Sequence, residues 1–431
     1  DSFMRVRAAD GTWEAPVNPL EAGEGGTGIA LAQAPDGGST LLVTGELSGD
    51  RRAWLLTRAN GATSYSNTQV WDEPDTDSLG QPSIDFNSAG NGVVAWRSVT
   101  ADGTVLRFAR SNAGAWDSSA DTGPTDVGQE PLAAISSNGD IGVVWPNNSY
   151  SAAEATAMDA RTEVWAPTQT FPNDSPNAFF VNIVADNDGE LVATWQAFDM
   201  MNYLTEPAHV FTSEWTRESG EWSSAEQLDT LLAGAPYPTT NAAGDILLAA
   251  GMGADMLHVK VAAAFRPSGG AWSELQMVDE GTPDIGPHGL AVPALSDQGD
   301  SAIAFLDNDT THRTVSIALG DGADPVIDSL SVPSTGKVGE PVSVSVDASD
   351  AISGVGDVDW NFGDGGMTSG DESSHTYSAA GTYTVSVTVA DNAGHTKTQT
   401  RQITVTGAPV VVQPPADDDD EDTVVEPVKP P

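Results

Sequence analysis

Tyr150, Asp199, Tyr203 and Asp307 are the residues of this 431-residue chain whose types and placement best suit recognition chemistry. Each lies in a segment that interrupts an alternating strand pattern: Pro146-Asn-Asn-Ser-Tyr150, Phe198-Asp-Met-Met-Asn-Tyr203 and Asp307-Asn-Asp-Thr-Thr-His312, with Met252-Gly-Ala-Asp255 a further such segment. A tyrosine ring can stack on a sugar face while a carboxylate accepts hydroxyl hydrogen bonds. The chemistry expected of these loops is therefore ligand binding, set against the plainer reading of ordinary exposed loops. No catalytic residue is assigned, because the chain lacks cysteine and carries no HExxH, GxSxG or phosphate-loop pattern. No cofactor is expected either. Asp307 and Asp309 suit calcium, but two carboxylates fall short of the about six to eight oxygens it takes.

The elements that must position these loops form a repeat. An Arg before a turn, then Gly, then usually Trp recurs at Arg7, Arg58, Arg110, Arg161, Arg217 and Arg266, in steps of 51, 52, 51, 56 and 49 residues. Examples are Arg7-Ala-Ala-Asp-Gly-Thr-Trp13, Arg110-Ser-Asn-Ala-Gly-Ala-Trp116 and Arg217-Glu-Ser-Gly-Glu-Trp222. A second family interleaves with it: alternating strand, turn with Gly and Asp or Asn, apolar strand ending in an aromatic. Pro82 to Trp96, Pro131 to Trp145 and Val181 to Trp195 are the clearest copies, and Ile29 to Val43, Tyr237 to Ala250 and Leu290 to Phe305 are weaker ones. Each family reads as a hairpin, and a period near 50 is the length of one four-stranded propeller blade. Residues 1–322 are thus expected to form a six-bladed β-propeller, with a seven-bladed alternative left open by His312 to Leu319, which competes with Phe3 to Val6 for the last blade. The hairpin at Arg7 is expected to complete that blade and cover its edges. Residues at one offset of such a ring stand one per blade and cannot converge on a substrate, so the arginines and their tryptophans are read as ties between sheets.

The turn Ala9-Asp10-Gly11-Thr12-Trp13 resembles the Asp-box, Ser-x-Asp-x-Gly-x-Thr-Trp, of the sialidase-like and BNR-repeat propellers; Ser111 to Trp116 and Ser219 to Trp222 are degenerate copies. In that family the box is structural and lies away from the active site. The resemblance also implies an arginine triad, a Tyr with a Glu partner and an acid/base Asp. Here Phe3-Met-Arg5-Val6 stands where Phe-Arg-Ile-Pro would be expected, and only Arg5, Arg51, Arg52, Arg97, Arg107 and Arg313 lie outside the repeated ring. A triad is not indicated. A binding protein is the leading reading, with a sialidase-like hydrolase or lyase and a structural surface-layer component as alternatives.

From about Pro325 the repeat stops. Val358-Asp-Trp360-Asn-Phe362-Gly-Asp364-Gly365, His375-Thr-Tyr377 and Gly381-Thr-Tyr383-Thr-Val-Ser-Val strongly resemble the PKD domain, an immunoglobulin-like sandwich, with Asn361 in place of the usual first Asp. That implies residues 325–407 as a non-catalytic extracellular spacer, with Tyr383 as a core anchor. Residues 408–431 are Pro-rich and run acidic from Asp417 to Asp422, a composition that cannot bury a core and reads as a disordered acidic stalk. A wall anchor or further domains beyond it, and a natural terminus, are both consistent with this ending.

Composition limits the partners. With 62 acidic and 17 basic side chains the net charge is −45, which repels nucleic acid and anionic membranes. No apolar run is long enough to span a bilayer. Absent cysteine fits bacterial export without disulfides, and the start at Asp1 without a leader fits a mature exported form or a cut fragment. The expectation is an all-β protein at the cell surface or secreted, recognising an extracellular glycan or protein ligand.

Overall fold

The computed structural model describes residues 25–407 except 48–49, 63, 75, 113, 172–175, 200, 202–207, 229–231, 254–258, 279–290 and 309–312. The Arg7 hairpin, the Asp-box at Asp10, the Phe3-Met-Arg5-Val6 segment and the acidic stalk lie outside the described residues. Every regular element among the described residues is a β-strand, and the chain divides into two compact units, Asp1–Gly322 and Ala323–Pro431.

The first unit is a succession of antiparallel sheets, each built from consecutive strands. Sheet 1 comprises Gly25–Gln33, Ser39–Leu47, Asp50–Arg58 and Ser66–Asp72. Sheet 2 opens with Thr76–Phe86, sheet 3 with Leu132–Ile135, sheet 4 with Asn177–Ala185, sheet 5 with Leu232–Ala233 and Tyr237–Thr240, and sheet 6 with Ala291–Leu295. Sheet 6 has three described strands, and the third is Arg313–Gly320 paired with Ser301–Asn308. The strand that competed with the N-terminal segment for this sheet is therefore incorporated.

The turn between the first two long strands of each sheet has one construction. Gly37, Gly90, Gly139, Gly189, Gly244 and Gly299 all stand at φ between +82° and +101° or close to it, at +80° for Gly90. This is the left-handed region that only glycine enters without cost. A Cβ on Gly244 would sit 2.3 Å from the Asn187 backbone N, so space forbids it there as well. In sheets 2 to 6 the residue that opens the turn caps it: Asn87 Oδ1 accepts the Asn91 N–H at 3.0 Å, Ser136 Oγ the Asp140 N–H at 3.1 Å and Asp186 Oδ1 the Glu190 N–H at 2.9 Å, with Asn241 and Ser296 in the same role. The Asp, Asn and Ser of these turns thus close hairpins.

These turns meet at one end of the unit, around a cavity of about 590 Å³ whose wall includes Gln33, Asp85, Ile135, Ala185, Thr240 and Leu295, one from each sheet. Adjacent sheets are stitched there: Asn87 Nδ2 donates to Ser136 O at 2.9 Å, Ser137 Oγ to Asn187 O at 2.8 Å and Asn241 Nδ2 to Ser296 O at 3.0 Å. Behind the cavity the second strands run buried, and Trp96, Trp145 and Trp195 fill the space between sheets.

The second unit is a sandwich. Val326–Ser331, Pro341–Ser349 and Glu372–Thr376 form one sheet; Thr335–Lys337, Thr396–Thr406, Gly381–Asp391, Val355–Asn361 and Met367–Ser369 form the other. Alternation places Trp360 and Phe362 in the core with Val385, Val387, Val389 and Ile403. The core anchor is Tyr377, fully buried with its hydroxyl donating to Phe362 O at 3.1 Å. Tyr383, expected in that role, is half-buried and stacks on Tyr377 at 4.4 Å. Asp364 accepts from Gly366 N and lies 2.7 Å from His375 Nε2, while His375 stacks on Phe362, so the polar half of the motif locks the turn over the core.

Candidate functional site

The repeated arginines act as ties, though not uniformly. Arg217 of sheet 4 donates to Asp140 of sheet 3 at 2.8 Å, and Arg110 of sheet 2 reaches Glu163 of sheet 3 at 3.0 Å. Arg266 of sheet 5 is buried against Asp186, Glu190 and Glu214 of sheet 4. Arg161 pairs within its own hairpin, with Asp159. Arg58 has no carboxylate partner among the described residues; it donates to Ser39 Oγ and Ala62 O. Of the hairpin tryptophans Trp222 is buried, but Trp116, Trp165 and Trp272 are half-buried. Their cost on truncation is accordingly smaller than the burial expected from the repeat.

The loops joining second and third strands lie at the end of the sheets opposite the cavity. Tyr150 is held there by a loop folded around Asn147, whose Oδ1 accepts the Ser151 N–H at 2.8 Å. The Tyr150 N–H donates to Asn147 O at 2.9 Å, and Tyr150 O accepts from Ala178 N of sheet 4 at 2.7 Å. The Tyr150 ring stacks on Phe179 at 5.2 Å and 16°, and Phe179 meets Phe198 at 5.0 Å. Asp199 follows Phe198 directly and accepts the Met201 N–H at 2.8 Å. Tyr150 and Asp199 therefore flank one aromatic stack that spans two sheets. Tyr203 and Asp309 lie outside the described residues. Asp307 corrects the loop expectation: it belongs to the strand Ser301–Asn308 and pairs with Thr314.

Sequence reasoning missed Phe179 and Phe180. The strand carries a bulge between Phe179 and Asn182, which puts Phe180 at φ +49° with its side chain exposed, while Asn182 Nδ2 pins the bulge by donating to Phe180 O at 3.1 Å and Pro236 O at 2.8 Å. Tyr150 stands at φ +54°. A bulky side chain in the left-handed region costs about 1–2 kcal/mol, and two such residues stand on the adjoining sheets 3 and 4. The doubled Phe in an otherwise alternating strand is the trace the sequence held.

Asp85 is a perturbed carboxyl at the other end, in the cavity wall. Its Oδ2 accepts the Ile135 N–H at 2.9 Å, and burial pushes its pKa up to about 6 against the pull of the Ile135 and Phe86 backbone N–H groups. A raised folded-state value means stability that is full below the unfolded pKa of 3.8 and lost as pH rises through about 6. Asp85→Asn keeps an acceptor for Ile135 and removes the buried charge. The expected result is a higher melting temperature than the parent at pH 7 and no difference at pH 3.5, read by parallel thermal melts.

Against this geometry stand the comparisons with known proteins. Residues 322–405 match the PKD domain family, and this part of the chain is a PKD domain. It is similar to the PKD1 domain of Vibrio anguillarum Epp, with 34% identity over 20% of this chain and 96% of that one, TM-score 0.18. Over more of the chain, a polysaccharide lyase PL25 ulvan lyase is similar at 10% identity, covering 90% of this chain and 96% of that one, TM-score 0.43. The Hadza microbial sialidase Hz136 is similar at 13% identity over 67% of this chain and 65% of that one, TM-score 0.38. PKD domains occur in extracellular proteins.

Proposed function

We propose that the first unit is an extracellular binding module that takes a glycan or protein ligand on the rim carrying Tyr150, Phe180 and Asp199, with the PKD domain as its spacer. The observation that carries the reading is the pair of aromatics at positive φ, since strain of this kind persists where the surrounding structure holds a residue for use. Phe179 and the buried Phe198 back the part-exposed Tyr150 ring, a surface of the sort that sugar faces and aromatic side chains pack on. Tyr203 and Asp307 stay in the proposal as further ligand-binding residues, and display outside the cell is part of it.

The test separates binding from folding through one unusual variant. Phe180→Gly removes an exposed ring and relieves the backbone, so the melting temperature should hold or rise. Binding to ligands found on a glycan and extracellular-protein array should fall at least tenfold. Unchanged affinity in Phe180→Gly and Tyr150→Ala would remove this rim from the reading, and chain shortening of an arrayed polysaccharide would transfer it to an enzyme.

A further inference from the structure

The turn of sheet 1 departs from its counterparts: it opens with Ala34, where the others open with Asn87, Ser136, Asp186, Asn241 and Ser296, and it differs again at its end. Where sheets 3, 4, 5 and 6 place Asp140, Glu190, Asp245 and Asp300 at the end of the inner turn, sheet 1 has Gly38. Asp140 and Glu190 are the carboxylates that hold Arg217 and Arg266. Without one here, a cleft of about 610 Å³ stays open between sheets 1 and 2, within the range of about 300–1,000 Å³ typical of small-molecule sites.

Its wall is chemically mixed. Arg58 lines it with Nε given to Ser39 Oγ at 3.2 Å and Nη1 to Ala62 O at 2.6 Å, its guanidinium 6.0 Å from the Tyr65 ring centre, leaving Nη2 with no acceptor among the described residues. Trp116 and Phe86 line the opposite side, edge to face at 6.0 Å, and meet over Gly92, where a Cβ would lie 2.8 Å from the Trp116 ring. Trp116 is half-buried, so part of its indole faces the opening. Thr57 and Asp36 add hydroxyl and carboxylate acceptors, with Asp36 Oδ1 already engaged by the Gly38 N–H at 2.8 Å.

We propose that this cleft binds a carboxylate-bearing pyranose, a uronic acid unit, with the carboxylate on Arg58 and the ring against Trp116. The guanidinium supplies a charge-assisted donor of the geometry a carboxylate fits. The indole and the hydroxyl-rich wall favour a sugar over an acidic peptide. The long-range negative field of the chain is screened within about 8 Å at physiological salt, so the local cation governs. The inference is independent of the rim proposed above.

Isothermal titration of the full chain with trigalacturonate, galactotriose and a tri-glutamate peptide tests it. Trigalacturonate should bind saturably, at least tenfold tighter than either alternative, and Arg58→Gln should weaken it at least tenfold with an unchanged melting temperature. Gly38→Asp, which puts an acid where sheets 3 to 6 carry one, should weaken it likewise by adding a second carboxylate beside Asp36 in the wall. Phe180→Gly should bind as the parent does. Absence of saturable trigalacturonate binding, equal affinity for galactotriose, preference for the peptide, or indifference to Arg58→Gln would each overturn the assignment.

Discussion

Arg266→Met should destabilise the first unit by about 3–5 kcal/mol, the cost of breaking a buried ion pair from one side. Arg266 is 1% exposed and its guanidinium is shared by three carboxylates of the neighbouring sheet: Asp186 at 3.0 Å from Nη1, Glu190 at Nη2 and Glu214 at 3.0 Å from Nε, the last in ion contact without hydrogen-bond alignment. Asp186 has no exposed side-chain surface, so removing the cation strands its charge. Burial raises the Glu214 pKa even with Arg266 beside it, and without the arginine protons would be drawn to the site. The loss should therefore shrink on acidification from pH 7 towards pH 5. It would be read by thermal melts across that range, and Arg266→Met with Asp186→Asn should recover part of it. A variant as stable as the parent at pH 7 would mean that the tie between these sheets is dispensable.

Trp360→Ala should leave the isolated segment 323–407 largely unable to hold its fold. The parent segment is expected to melt cooperatively, because its core is assembled from its own two sheets. Truncating a fully buried tryptophan costs about 3–5 kcal/mol, out of the roughly 5–15 kcal/mol a domain has. Trp360 also loses the hydrogen bond from Nε1 to Gly370 O at 2.8 Å, leaving that carbonyl without it. For a unit of this size the melting temperature should drop by about 12 °C or more, measured by circular dichroism. A non-cooperative parent melt would place the unit's boundary elsewhere.

What the sequence disclosed was whatever repeats or forms a contiguous motif. The inner turns could be read because one glycine conformation recurs in all six and an Asn, Ser or Asp cap in five, and the Trp360-Asn-Phe362-Gly-Asp364-Gly365 run could be read because its residues serve one strand end and the turn that follows it. The arginine ties followed from symmetry at Arg110, Arg217 and Arg266. Their exceptions did not, since Arg161 pairs locally with Asp159 and Arg58 donates to Ser39 Oγ and Ala62 O within its own sheet. Phe180 escaped because a bulge reverses which face a side chain takes, and alternation alone assigns it wrongly. Tyr383 packs against the core as expected but only part-buried, because Tyr377, to which the sequence reading gave no role, stacks on it and takes the fully buried place. Of the residues expected at the binding rim, Tyr150 joins an aromatic stack and Asp199 follows that stack's last member, Phe198, in the chain, whereas Asp307 sits in a strand because its pairing partner, Thr314, lies beyond the segment that reads as a loop.

Each sheet of the first unit pairs strands that follow one another in the chain, so a sheet's hydrogen bonds can form from some fifty residues before the next stretch is available. Such a chain suits vectorial assembly, in which material emerging from a ribosome or a secretion pore organises in order of arrival and each finished sheet offers a template surface to its successor. Interruption late in synthesis would then leave a shorter stack with one exposed face, and the hazard in this protein is self-association of partial chains.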